Sequence, residues 1–304
     1  MALLRVYEKH CIARKTDTEN MLRVPEEVFI SGYVISGICH MIGLALLSGV
    51  KEVLPNQKLL IMNLSAIEMV LSVYLAIEEG LTYTWTGHIE KIFVSNLLFM
   101  GLRFAVLLMI VDRFLEVFLN IKYTVFVSIK RLRLVLVMLW LLSASVSIIL
   151  ACLASDKAKV HLIWLIFDAM ITILDIVIVI TAVTTYTYFY MMVRRIQQRL
   201  RTLTNQFTGR GTNFSINKFK VPFLVVLNFI CFNFTGSVLA TISSYISLKR
   251  NQSVLFYDIV TFFDIASFLS DICIYVFLQK KVRRHFLFYF RKFQRTTSVI
   301  SDTY

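Results

Sequence analysis

This chain of 304 residues is 58% apolar, contains only three prolines and has a mean hydropathy of +0.72, which excludes an ordinary soluble globular domain. Its net charge of +13 does not indicate a nucleic-acid partner, because no nucleic-acid-binding module is visible in the sequence. An excess of Lys and Arg in a chain of this composition suits anionic lipid and acidic cytoplasmic partners, so we expect contact with the lipid bilayer.

Seven stretches are apolar enough and long enough to cross a hydrocarbon core of about 30 Å, which needs ~20 helical residues. None shows the alternating pattern of a membrane β-barrel strand, so the sequence predicts an all-α membrane protein, a bundle of seven transmembrane helices. In chain order the predicted spans are Val28–Val50, Leu59–Ala76, Ile92–Leu119, Leu132–Leu153, Leu162–Val193, Val221–Leu248 and Val254–Leu278.

The spans divide the chain into a tail (1–27), a seven-helix domain (28–278), a basic and aromatic run (279–293) and a short end (294–304). The alternation of basic and aromatic residues in 279–293 predicts an amphipathic eighth helix in the membrane interface. Lys and Arg concentrate in the loops after spans 1, 3, 5 and 7, and positive loops stay in the cytoplasm. We therefore expect an extracellular N-terminus and a cytoplasmic C-terminus.

Five short motifs follow one another at characteristic positions of these spans. They are Asn63-Leu64-Ser65-Ala66-Ile67-Glu68 in span 2, Asp112-Arg113-Phe114 in span 3, Trp140 in span 4, Cys231-Phe232-Asn233-Phe234 in span 6 and Asp271-Ile272-Cys273-Ile274-Tyr275 in span 7. In order and spacing they resemble the rhodopsin-like (class A) G-protein-coupled receptors, and the resemblance extends from Val28 to Phe286.

The resemblance implies a switch at the inner end of span 3. In that class the arginine matching Arg113 is held by the acid matching Asp112 at rest and meets the G protein when active, while tyrosines matching Tyr186 and Tyr275 rearrange around it. Independently of any family, a charge near hydrocarbon costs roughly 2.5–3.5 kcal/mol, so Arg113 must be paired, water-facing or functional. An arginine that merely snorkels to the interface is the alternative interpretation.

The chain also departs from the class pattern. His88 stands where a disulfide-forming cysteine is usual. Spans 5 and 7 lack proline and span 6 has one only at its second residue, Pro222, so the interiors of these helices should be straighter or bent by another device such as Gly236. The short loop before span 5 and an acid at Glu78 resemble the melanocortin receptor branch. The acids that this branch carries in span 3 are missing at His88 and Ile92.

A polar set lies within the predicted spans. Glu68 and Asp271 match a pair that holds sodium in relatives, but Leu102 and Phe268 replace hydroxyls of that site, and His40 stands nearby by position. Two adjacent buried acids cannot both ionise cheaply, so we favour a shared proton over a sodium ion, with a purely structural hydrogen-bond cluster as a further alternative.

Arg103 lies deeper in the bilayer than Arg113, where an unpaired guanidinium would be prohibitive. By the spacing of the family it meets Asp175 in span 5 and Asn228 in span 6. We therefore expect a buried Arg103–Asp175 pair, with Asn228 as an added acceptor.

The class binds ligands between the outer halves of its helices. Ser95 replaces the aspartate that amine receptors need, and span 7 has no lysine for retinal, so a biogenic amine and an opsin are not expected. Several acids at pocket positions favour a cationic or peptide ligand. The predicted pocket residues are Glu78, Glu79, Ser95, Asn96, Asp168 and Asp264.

No nucleophile and base, metal cluster or phosphate loop indicates an enzyme, and no cofactor is expected beyond a proton or Na⁺ at Glu68 and Asp271. The predicted function is a plasma-membrane receptor that couples an extracellular ligand to a heterotrimeric G protein. The resemblance adds arrestin and a receptor kinase as partners of the C-terminal tail. A transporter or proton-conducting protein is the rival class, suggested by the buried charges. A receptor-shaped scaffold that does not signal is the third alternative.

Overall fold

The structure is a computed structural model. It describes residues 25–50, 55–80, 88–119, 122–154, 160–204, 224–250, 254–274, 282–284 and 286–288. Every secondary-structure element within these ranges is helical, which confirms the all-α prediction. Tyr275 and the terminal segments 1–24 and 289–304 lie outside the described residues.

Eight α-helices and one π-helical turn make up the described part of the chain. They are α1 (Glu26–Gly49), α2 (Pro55–Gly80), α3 (His88–Leu119), α4 (Tyr123–Phe126), α5 (Ile129–Leu153), α6 (Val160–Thr204), the π turn (Phe229–Phe234), α7 (Thr235–Arg250) and α8 (Val254–Cys273). The π turn continues a helical stretch that begins at Leu224, so it forms one long helix with α7.

Six of the helices are long and apolar enough to cross a bilayer. They are Glu27–Gly49, Pro55–Glu78, Ile89–Glu116, Ile129–Leu153, Leu162–Met192 and Leu224–Ile246, and they match the first six predicted spans. The chain is therefore a multi-pass membrane protein. The seventh predicted span overlaps α8, which is not among these six, so a seventh spanning helix stays a prediction. Of the predicted eighth helix, two short helical stretches are described, 282–284 and 286–288.

The span of α3 lies at the centre of the bundle and that of α5 at its edge. The most apolar stretch of Ile89–Glu116 is 61% buried, whereas that of Ile129–Leu153 is only 28% buried. Large apolar side chains of α5, such as Leu134 and Met138, are exposed because hydrocarbon rather than water surrounds this surface. The central position of α3 brings Arg103 and Asp112 into the interior, at two depths.

The sixth span contains a π turn, and its described residues include no proline. In Phe229–Phe234 the helix widens, and Asn228 and Asn233 at this level are both buried. Such turns commonly occur at functional sites. Gly236 follows directly, and a Cβ atom built there would lie 3.6 Å from the Cβ of Phe263, so the glycine sits at ordinary packing distance from α8. The sequence alone does not reveal the π turn.

Trp140 joins three helices. Its Nε1 donates to the Asn63 Oδ1 of α2 at 3.4 Å, and its ring covers Gly101 of α3. A Cβ atom at Gly101 would lie 3.3 Å from two carbons of this rigid ring. The absence of a side chain at Gly101 therefore sets how closely α3 and α5 approach.

Replacing Gly101 by alanine should lower stability by about 1–3 kcal/mol, because the methyl group overpacks the Trp140 ring. Gly37→Ala is the matched control, since its methyl group would meet Val73 at 3.5 Å, an ordinary contact, and alanine favours a helix over glycine. Thermal unfolding of both purified variants in detergent measures the difference. Equal melting temperatures for the two would contradict this account of the contact.

Candidate functional sites

A cluster of ion pairs lies at the C-terminal end of α3. We call this end of the bundle the α4 end, after the short helix that follows α3. The Arg113 Nη2 lies 2.6 Å from the Asp112 Oδ2, and its Nη1 lies 2.5 Å from the Glu116 Oε2. The Arg113 side chain is 11% exposed and that of Asp112 is 1% exposed. Both ends of the guanidinium fork are therefore occupied by carboxylates at a site that is largely shielded from solvent.

Asp112 is held in turn by the short helix that follows α3. The Tyr123 hydroxyl of α4 donates to the Asp112 Oδ1 at 2.5 Å. The Asn56 side chain of α2 donates to the Tyr123 oxygen at 3.3 Å and to the Val127 carbonyl at 2.9 Å. Burial of the Tyr123 phenol and its bond to Asp112 raise its pKa above the ordinary value, so this phenol stays a donor at neutral pH.

Aromatic rings surround the same end. The Phe114 and Phe118 rings stack at 5.7 Å, and Tyr188 of α6 packs against both. Tyr186 is half-buried and lies within electrostatic range of Arg113, at the position where the sequence predicts a switch tyrosine. The other predicted switch tyrosine, Tyr275, is outside the described residues, so its role stays a prediction.

The structure contains the predicted pair in the middle of the bundle. The Arg103 Nε lies 3.2 Å from the Asp175 Oδ1, and both side chains are buried. Ser237 of α7 completes the group: it accepts from the Arg103 Nη2 at 3.0 Å and donates to the Asp175 Oδ2 at 2.5 Å. The Phe99 ring lies 5.8 Å from the guanidinium carbon. Three helices are thus joined through one buried charge pair.

Asn228 does not serve as the expected acceptor for Arg103. Its side-chain nitrogen donates instead to the Asp271 Oδ1 at 2.8 Å and to the Ser267 carbonyl at 3.2 Å, both on α8. Ser237, nine residues further along the same helix, takes the place that the sequence assigned to Asn228.

The predicted acid pair is assembled. The carboxyl groups of Glu68 of α2 and Asp271 of α8 lie within hydrogen-bonding reach of each other, and a hydrogen bond between two carboxyl groups requires that one of them carry a proton. The His40 Nδ1 of α1 lies 3.5 Å from the Glu68 Oε2, and the His40 Nε2 donates to the Phe268 carbonyl at 3.0 Å. His40, Glu68, Asp271 and Asn228 thus form one buried polar chain across four helices, which we call the proton network.

Four of the six predicted pocket residues line one internal cavity at the end of the bundle opposite α4. Glu78, Ser95, Asp168 and Asp264 contribute to its wall together with Arg103, and its volume is about 60 Å³. Ser95 bonds to Tyr74 at 3.1 Å, and Ser244 donates to Asp168. This volume admits roughly four to five water-sized groups, far fewer atoms than a peptide segment contains.

The two other pocket residues have different outcomes. Asn96 is fully buried and does not line the cavity, because consecutive helical residues point about 100° apart and Ser95 already faces it. Neither polar atom of the Asn96 amide has a hydrogen-bond partner among the described residues. The side chain of Glu79 lies outside the described part of the structure.

A second cavity of about 620 Å³ opens between the same ends of α2, α3 and α5. Its wall is almost wholly apolar, with Phe93, Val94 and Ile148 among its side chains, and Glu78 belongs to both cavities. No feature of the sequence indicates this opening, because its residues have the pattern of ordinary lipid-facing positions.

Sequence reasoning missed the side chains that complete each site. Glu116 lies one turn beyond Arg113 and could have been found from that spacing. Tyr123, Asn56 and Ser237 carry no such signal, because each reaches its partner from another helix. Trp164, a buried aromatic wall of the small cavity, reads in the sequence as a core residue.

Among the described residues, no group of three or more His, Cys, Asp or Glu side chains is arranged to hold a metal ion. The sequence was also compared with known proteins: it matches no protein-family model, and no curated protein matches it.

Replacing Asp175 by asparagine should remove most folded protein from the membrane, because it leaves the Arg103 charge buried without its counter-ion, a change that typically costs 3–5 kcal/mol. Surface expression and thermal unfolding in detergent measure the loss. Ser237→Ala removes only a neutral bridge and should cost about 1 kcal/mol.

The double variant Arg103→Met/Asp175→Leu is the control for charge. It removes both ions at similar volume, and such replacements are often neutral or stabilising. Expression that recovers in the double variant assigns the damage in Asp175→Asn to the unpaired charge. Normal folding of Asp175→Asn alone would show that the pair contributes little.

Glu68→Gln should unfold at nearly the same temperature as the native chain, because the glutamine amide can donate to Asp271 as a protonated acid does. On the same grounds the native melting temperature should be equal in sodium chloride and in choline chloride. A melting temperature that is higher in sodium chloride for the native chain, but not for Glu68→Gln, would show instead that Glu68 and Asp271 bind the ion.

Proposed function

We propose that this chain is a receptor of the rhodopsin-like class that couples an extracellular ligand to a heterotrimeric G protein. The observation that carries the proposal is the cluster at the α4 end, in which Arg113 is bound by Asp112 and Glu116 while Tyr123 holds Asp112. A guanidinium stored between two carboxylates can exchange them for an external partner once the surrounding helices separate, which makes it a two-state element.

In this proposal α8 is the seventh spanning helix. Its three acids lower its hydropathy, but Asp258 and Asp271 are buried and Asp264 lines the internal cavity, so the charges are not directed at lipid. The helix packs against α1 and against α7. The amphipathic eighth helix predicted over 279–293 belongs to the same proposal, and within its described residues Val282 is buried while Arg283 and Phe288 are exposed.

In this proposal the protein lies in the plasma membrane with its α4 end facing the cytoplasm. Basic residues concentrate at this end, as they do in cytoplasmic loops. They include Lys130, Arg131 and Arg133 of α5, and Arg194 and Arg195 near the C-terminal end of α6. The tail 1–27 is then extracellular. The tail 294–304 is available to a receptor kinase and arrestin.

The test is nucleotide exchange on a panel of purified G proteins, without added ligand. Tyr123→Phe removes the hydrogen bond that holds Asp112, worth about 1 kcal/mol, and should raise basal exchange roughly fivefold by shifting the population toward the open state. Tyr188→Phe, which keeps its ring contacts with Phe114 and Phe118, is the matched control and should leave exchange unchanged.

Adding Arg113→Ala to Tyr123→Phe should return exchange to the level of membranes without the protein. If no G protein of the panel responds to Tyr123→Phe although the variant is folded, the receptor proposal is wrong. The same folded protein would then be a candidate scaffold.

The proton network favours a second candidate, a proton or ion conductor. Four helices contribute its neighbouring buried side chains, which are those of His40, Glu68, Asp271 and Asn228. Ligand-independent current in liposomes containing the pure protein, abolished by Asp271→Leu, would support this candidate. A receptor should give none.

A further inference from the structure

The small internal cavity contains two buried donors that nothing in the described structure satisfies. The Arg103 Nη1 and the Trp164 Nε1 have no hydrogen-bond partner among the described residues, and both side chains, each 3% exposed, line this cavity. The other two donor nitrogens of Arg103 are already engaged by Asp175 and Ser237. An unsatisfied buried donor costs about 1–3 kcal/mol, so an occupant of the cavity whose acceptor atoms reached both donors would relieve two such costs.

The rest of the cavity wall has the opposite character. Glu78, Asp168 and Asp264 bring three carboxyl groups to it, against the single guanidinium of Arg103. A simple anion would meet these acids, and a simple cation would leave the two donors unsatisfied. Carboxyl oxygens accept more than one hydrogen bond, so these acids can take a further donor in addition to the partners they have.

Aromatic rings also contribute to the cavity wall. Tyr33, Phe99, Trp164 and Phe167 line the cavity, and an ammonium group close to such faces is attracted to them. The volume of about 60 Å³ restricts the occupant to a few non-hydrogen atoms.

We propose that this cavity binds a small zwitterion of the amino-acid type. Its carboxylate accepts from the Arg103 Nη1 and the Trp164 Nε1, and its ammonium group donates to the acids of the wall. The carboxylate thereby joins the buried group of Arg103, Asp175 and Ser237, which links α3, α6 and α7. As the ligand site of a receptor this rests on the proposed function, but binding itself does not.

The experiment uses the purified full chain in nanodiscs and three probes. They are L-alanine and two fragments of it, ethylamine, which lacks the carboxylate, and propionate, which lacks the ammonium group. Equilibrium binding of the labelled probes and thermal unfolding are measured without a G protein. L-alanine should bind and raise the melting temperature, and each single-ended probe should bind at least tenfold more weakly.

Trp164→Phe removes only the Nε1 donor and keeps an aromatic wall. It should weaken L-alanine about tenfold, as expected for a hydrogen bond to a charged group, and leave ethylamine unchanged. Trp140→Phe is the matched control, because it removes an indole donor that serves Asn63 outside the cavity. The control should bind L-alanine as the native chain does.

Absence of stabilisation by all three probes would mean that the cavity holds water only, which overturns the proposal. So would equal binding of L-alanine and either single-ended probe, or native affinity in Trp164→Phe. L-alanine binding without nucleotide exchange in any variant would contradict the receptor function and leave the subsite standing. Basal exchange in Tyr123→Phe without L-alanine binding would contradict the subsite alone.

Discussion

A lipid bilayer offers no hydrogen-bond partner to a charge, and this constraint organises the interior of the bundle. Arg103 is the clearest case, because its guanidinium lies deep in α3 and has to find its counter-ion within the protein. Asp175 supplies the counter-ion and Ser237 supplies a neutral acceptor, each from another helix. One polar group therefore fixes the relative positions of α3, α6 and α7 at the level where apolar contacts alone would permit sliding.

The same constraint acts at three levels along the bundle. The ion pairs of Arg113 close the α4 end, the proton network and the Arg103 pair occupy the middle, and the small cavity lies toward the opposite end. Asn228 and Ser237 lie on either side of the π turn, so two of the polar groups are anchored through the one irregular element of the sixth span. The local widening of that helix therefore sets the register of one group relative to the other.

Sequence reasoning located six spans and the Arg103–Asp175 pair because the cost of a charge in hydrocarbon is local and large. It also brought Glu68, Asp271 and His40 together, since the resemblance to a known class fixed their depths. It assigned Asn228 to Arg103 from the spacing of that class, whereas the Asn228 amide bonds to Asp271 and Ser237, nine residues further along the helix, meets Arg103. The sequence could not predict the contact of Tyr123 with Asp112, because the direction of a short connecting helix depends on tertiary packing.

The two unsatisfied donors of the small cavity bear on how such a bundle could respond to a ligand. Arg103 contributes two nitrogens to the pair that holds three helices and keeps a third for the cavity. A carboxylate bound to that third nitrogen adds negative charge beside Asp175 and weakens the attraction that Asp175 alone provides. Occupancy of the cavity and the tightness of the helix contact are then coupled through a single guanidinium. A ligand of very few atoms suffices for such coupling, because its effect depends on the charge it places there and not on the area it buries.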